Sequence, residues 1–240
     1  MAAANDSWLR KKSERDAIKN MEEKISDPEL RKKLIPEYPM GAKRILFSDD
    51  YYEAVARDNV DVITDSVQRI TENGVDAKSG THYDADVLIY ATGFDSTTFL
   101  TPMQVHGRDD RSLNDLWDKE GAEAYLGITH SGFPNFFMMY GPNTNLGHNS
   151  IVVMIEAQTR YILSCLDALE SKQAAWLDVK GDVQQKYNTW IQQRMTEKVW
   201  TVIDKSWYKR DGKVTNNWVG RTTEYRKRTR KMNPDDYEFV

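Results

Sequence analysis

Residues 86–95, DVLIYATGFD, constrain the fold more than any other stretch of this chain. Val87, Leu88, Ile89, Tyr90 and Ala91 run on without polar alternation, the pattern of a parallel strand covered on both faces. The run passes straight into Thr92-Gly93-Phe94, where Gly93 permits a tight turn in which backbone rather than side chain faces a ligand. A plain core strand ending in a glycine turn has the same composition. The run alone therefore speaks to local structure and not to chemistry.

A chain of 240 residues can hold one large domain or two small ones. Its hydrophobic share, 40%, is that of an ordinary folded protein, and 33 basic against 37 acidic residues leave a net charge of −4. Such mild acidity argues against a nucleic-acid binder. The single cysteine, Cys165, excludes an internal disulfide and fits a reducing, cytoplasmic setting. Met1-Ala2-Ala3-Ala4-Asn5-Asp6 leads into charged sequence, not a signal peptide, and no apolar run approaches the roughly 20 residues of a membrane span. Four of the seven tryptophans fall between Trp190 and Trp218. Core packing is the first reading of that load, and a substrate-pocket wall the second.

Along the chain, 5–34 reads as helical, with Asp27-Pro28-Glu29 supplying an N-cap, a first-turn proline and a first-turn acid. Pro36 and Pro39 end that region. Strands are expected at 44–48 and 60–64, a short helix at 49–57, and a hairpin at 67–71 and 75–77 around Glu72-Asn73-Gly74. Residues 136–140 read as a second buried strand, followed by a long amphipathic helix over 150–170. Asp182 with Gln185 resembles a capping box opening another helix, with Tyr187, Trp190, Ile191 and Met195 on one stripe. The six basic residues within 221–231 read as a solvated face.

Three blocks in order, YPMGAKR at 38–44, DVLIYATGFD at 86–95 and SGFPNFFMMYGPNTNLGHNS at 131–150, resemble the C-terminal half of the Baeyer–Villiger monooxygenases and their flavin-containing monooxygenase relatives. The resemblance runs from about 27 to about 231 and takes in Asp49-Asp50-Tyr51-Tyr52, Arg57-Asp58-Asn59-Val60, Thr71-Glu72-Asn73-Gly74-Val75 and Lys205-Ser206-Trp207-Tyr208. It implies an α/β fold, the C-terminal part of a Rossmann-like flavoprotein with two dinucleotide-binding domains. Residues 1–93 would be the remainder of the NADPH-binding domain with a helical lead-in, and 94–240 part of the FAD-binding domain. Neither G-x-G-x-x-G fingerprint is present, because the 13 glycines include no pair spaced as Gly-x-Gly. The chain therefore reads as a truncated relative.

For the site, the resemblance implies that Arg44 sits over the flavin and stabilises its peroxide anion, a role suited to a permanently charged planar fork. Lys43 would pair with the 2′-phosphate of NADPH. Thr92, Gly93 and Phe94 join the cofactor-binding candidates, as do Asn145, Leu146 and Ile151 at a helix start aimed at the flavin's pyrimidine edge. Asn143-Thr144-Asn145 replaces a smaller, proline-containing run of many Baeyer–Villiger members, which leaves the substrate class open. Trp207 matches a position near substrate and nicotinamide, with core packing the alternative. His82, His106, His130 and His148 show no metal spacing, and Ser150 has no partner suggesting a nucleophile.

The implied activity is FAD- and NADPH-dependent insertion of one oxygen atom from O₂ beside a carbonyl, converting a ketone to an ester or lactone, or onto a soft heteroatom. The alternative is a catalytically silent remnant, either an interaction domain or half of a split enzyme that needs an N-terminal half chain.

Overall fold

In the computed structural model, residues 7–204 and 206–240 are described; Lys205 of the Lys-Ser-Trp-Tyr block and the Met1–Asp6 leader lie outside them. The described chain divides into two units, one of 11–37 and 46–94, the other of 7–10, 38–45 and 95–240.

In the smaller unit, local rules account for most elements. Helix α1 spans Trp8–Lys24 and α2 spans Pro28–Leu34. Asp27 caps α2 by accepting a 2.9 Å hydrogen bond from the Glu29 amide, with Pro28 filling the first helical position. Helix α3, Tyr51–Val55, lies inside the expected 49–57. The expected hairpin is present as β1 (Val67–Ile70) and β2 (Gly74–Ala77), and β3 (His82–Asp84) extends it to an antiparallel sheet in the order β1-β2-β3. Gly74 is the first residue of β2, not part of the turn, and a side chain there would run into the Tyr83 carbonyl.

In the larger unit, α5 (Ile151–Lys172) carries the core. Met154, Ala157, Tyr161 and Cys165 on its buried face pack with Ile191 and Met195 of α6 (Gly181–Met195), and with Trp218 and Tyr225. Tyr225 belongs to α7, Thr222–Arg228, whose basic residues are exposed as the sequence suggested. A second cluster gathers Leu113 and Trp117 of α4 (Leu113–Glu120) with Phe133 and Met138. The strands here are short: β4 (Leu177–Val179) pairs with β7 (Tyr237–Phe239), and β5 (Lys209–Arg210) with β6 (Lys213–Val214).

Four expected strands are not formed. Residues 44–48, 60–64, 86–91 and 136–140 have no ladder partner among the described residues. The apolar run at 86–91 is solvated instead of buried, with Ile89 89% exposed, and Phe47 is 96% exposed. Strand propensity is a fit to neighbouring strands, so an apolar run without them stays extended and open. In 136–140 the amides are claimed one by one by other groups: Met138 N–H donates to the Ile128 carbonyl at 2.8 Å and Tyr140 N–H to Gln158 Oε1 at 2.9 Å. The capping box at Asp182 is also absent. Lys180 occupies the cap position without a side-chain bond, and Asp182, in the first turn, pairs with Lys186 at 2.8 Å.

Candidate functional site

The loop 141–150 is held by a segment distant in sequence. Asn143 N–H donates to the Thr215 carbonyl at 2.8 Å and Asn145 N–H to the Asn216 carbonyl at 3.0 Å, while Trp218 N–H donates back to Asn145 at 2.8 Å. Buried Asn143, only 3% exposed, adds a 2.7 Å bond from Nδ2 to the Val214 carbonyl. It holds a positive φ of 58°, a conformation asparagine tolerates better than most residues. Thr144 Oγ1 donates to the Gly141 carbonyl at 2.7 Å, closing the turn from inside.

Both ends of the Asn145 amide are engaged. Its Oδ1 accepts from Tyr140 Oη at 2.8 Å, and its Nδ2 donates to Asn217 Oδ1 at 2.7 Å. One N–H of that amide remains to meet a ligand. Leu146 turns its side chain into the core, so it can offer a ligand only backbone, and half-buried Ile151 packs against the same core. Past it, Gly147 faces open space. Ser150 caps α5 through a 3.2 Å bond from the Val152 amide, and no acid lies in the first turn. The other first-turn amides lack intrahelical partners and carry the positive end of a 22-residue helix.

Arg44 is exposed and brings positive charge to the same region. Burial pushes the Tyr140 and Tyr208 hydroxyls above the usual tyrosine range, and the Arg44 charge opposes that rise at both. Arg44, Tyr140 and Tyr208 are thus electrostatic neighbours. Lys43 stacks its ammonium 4.4 Å from the centre of the Tyr38 ring. Trp207 is half exposed, and its carbonyl accepts from Ser96 Oγ at 2.6 Å; Asn216 Nδ2 in turn donates to the Ser96 carbonyl at 2.9 Å.

Of the sequence candidates, then, Lys43, Arg44, Asn145, Leu146, Ile151 and Trp207 share the larger unit. Thr92, Gly93 and Phe94 belong to the smaller one, where Gly93 has φ 89° and the Phe94 side chain is 88% exposed. Sequence reasoning missed Tyr140, Tyr208, Ser96, Asn216 and Asn217. The one available signal was Asn216-Asn217 set between Thr215 and Trp218, since adjacent amides beside a buried aromatic need partners. Among the described residues no group of three His, Cys, Asp or Glu side chains could hold a metal ion, and no helix is long and apolar enough to cross a membrane.

No family model matches the chain. Individual proteins do. It is 42% identical to a Baeyer–Villiger monooxygenase of Pseudomonas aeruginosa over 95% of this chain and 44% of that protein. It is 41% identical to the FAD-binding monooxygenase ktnD of Aspergillus niger over 88% of this chain and 35% of that protein. Its fold superposes with a TM-score of 0.87 on the crystal structure of OTEMO in complex with FAD and NADP, at 27% identity, covering 99% of this chain and 46% of that one. The chain spans less than half the length of the curated relatives it matches. By these likenesses the chain belongs to the Baeyer–Villiger type of FAD-binding monooxygenases and corresponds to their C-terminal half.

Proposed function

We propose that this chain supplies the C-terminal half of an FAD- and NADPH-dependent monooxygenase that inserts one oxygen atom from O₂ beside a carbonyl or onto a soft heteroatom. The observation that carries the reading is the capped, acid-free start of α5, with the Asn145 amide held by Tyr140 and Asn217 and the Arg44 charge acting on Tyr140 and on Tyr208. These donors are neutral or positive, which fits the electron-rich edge of a flavin ring. Bound there, the flavin supplies the redox chemistry. The chain's own part is placement and charge: Asn145 and the α5 amides orient the ring, and Arg44 holds positive charge where negative charge develops.

In the same reading, residues 1–93 complete the NADPH-binding domain, with Lys43 taking the 2′-phosphate, and 94–240 complete the FAD-binding domain. Thr92, Gly93 and Phe94 contribute backbone and ring contacts to cofactor, and Trp207 lines the substrate pocket. A cytoplasmic setting goes with the single cysteine, which is buried.

A second reading is favoured by the exposed apolar runs at 46–47 and 87–90: the chain is one half of a split enzyme, silent alone and completed by an N-terminal half chain. One experiment addresses both. The chain is purified alone and also joined to the N-terminal half of a relative, and flavin content, NADPH oxidation and ketone oxygenation are measured. We expect no stoichiometric FAD in the chain alone, because the glycine-rich pyrophosphate turns are not in this sequence. In the joined protein, Arg44→Ala should abolish oxygenation and leave flavin reduction by NADPH largely intact. Retention of a tenth of the oxygenation rate would correspond to a loss of only about 1.4 kcal/mol. That is too little for the assigned role, and it would refute it.

A further inference from the structure

A cleft of about 530 Å³ lies where the end of α6 meets the start of α7, and Arg194, Lys198, Arg221 and Lys227 line it together with Glu224. The four cations face one carboxylate, a surplus of three positive charges. That carboxylate is already engaged: Glu224 Oε1 takes Arg194 at 2.5 Å and Arg228 at 3.4 Å. Its other oxygen lies over Gly220, where any side chain would collide with it.

Lys198 is the unusual member. It is 8% exposed, yet no carboxylate among the described residues lies within ion-pair distance of it. Its backbone carbonyl is fixed by the Thr201 amide at 3.1 Å and the Thr201 hydroxyl at 2.8 Å, so the root of the side chain is held in place. Arg221 and Lys227 form no ion pair among the described residues either. The surplus of positive charge along the cleft suits a multiply charged anion.

We propose that this cleft binds the phosphate group of a small phosphorylated molecule. Arg194 and Arg221 suit the planar, bidentate recognition of phosphate oxygens, and Lys198 supplies a point charge. A volume inside the roughly 300–1,000 Å³ typical of small-molecule sites is more than a lone phosphate ion fills, so an organic portion accompanies the charge. The inference is independent of the flavin reading, since it uses none of the residues assigned to that site.

Isothermal titration at constant ionic strength, with chloride replacing the ligand in the reference, tests it with two probes: inorganic phosphate and glucose 6-phosphate. Saturable binding of both is expected, tighter for the sugar phosphate and weakened at least tenfold by Lys198→Met and by Arg221→Gln. Lys186→Gln, outside the cleft, should change nothing. If Lys198→Met does not fold, Arg221→Gln decides alone. No saturable heat, or affinity unaltered in the folded cleft variants, overturns the site. Inorganic phosphate binding as tightly as the sugar phosphate overturns the organic ligand in favour of the free ion.

Discussion

Asn145 and Asn217 are joined twice, through a 2.7 Å side-chain hydrogen bond and as partners in a parallel backbone bridge. The bridge ties the loop before α5 to a segment some seventy residues later, and the side-chain bond fixes which way the Asn145 amide faces. Tyr140 holds the other end of that amide. The orientation of one polar group at the candidate flavin site is therefore set by two residues on either side of a long helix in sequence.

A double-mutant cycle of Asn145→Ala and Asn217→Ala should give a coupling energy of about 1 kcal/mol in urea denaturation, the net worth of one partly buried hydrogen bond. The backbone bonds survive both substitutions, so the loop should stay in place. Strict additivity would mean that the side-chain bond contributes nothing.

Glu224 should make stability depend on pH. Burial alone would raise its carboxyl, but the pairing with Arg194 and Arg228 wins and holds it below the usual glutamate range. A lowered folded value means that the stabilisation is present at neutral pH and is lost as pH falls below about 4.5, through the folded value. Glu224→Gln should then cost up to about 1 kcal/mol at pH 7, with the gap to wild type closing in acid. Thermal melts at pH 7 and pH 3.5 measure it, and an equal gap at both would contradict the pairing.

Cys165 should be inert in the native protein. Burial pushes its thiol up to about 12, so the thiolate needed for attack is scarce, and the residue is fully enclosed by the core. Iodoacetamide labelling followed by mass spectrometry should show modification only in denaturant. Fast labelling of the folded chain would show that the α5 core opens readily.

The isolated chain should self-associate. Phe47, Ile89 and Tyr90 are exposed together with Leu46 and Val87 in segments of strand-forming composition, and such edges pair with other chains. Sedimentation should show oligomers or aggregates at micromolar concentration, reduced in a Phe47→Lys/Ile89→Lys variant. A clean monomer with a cooperative melt would argue for a unit adapted to stand alone.

Sequence alone determined what short-range physics controls. The Asp27 cap, the β1–β2 hairpin and the buried stripe of α5 follow from a few neighbouring residues each, and the three motif blocks carried the family. The tertiary structure decided whatever depends on a distant partner. Residues 86–91 have every strand-forming feature but no strand to pair with among the described residues, so they remain open. Asn216 and Asn217 look like a polar turn until the fold sets them against Asn145. Arg44 acquires its relation to Tyr140 and Tyr208 only when residues from three distant parts of the chain converge. Periodicity and capping are local and can be read directly, whereas hydrogen-bond satisfaction and electrostatic neighbourhood depend on which segments the core brings together.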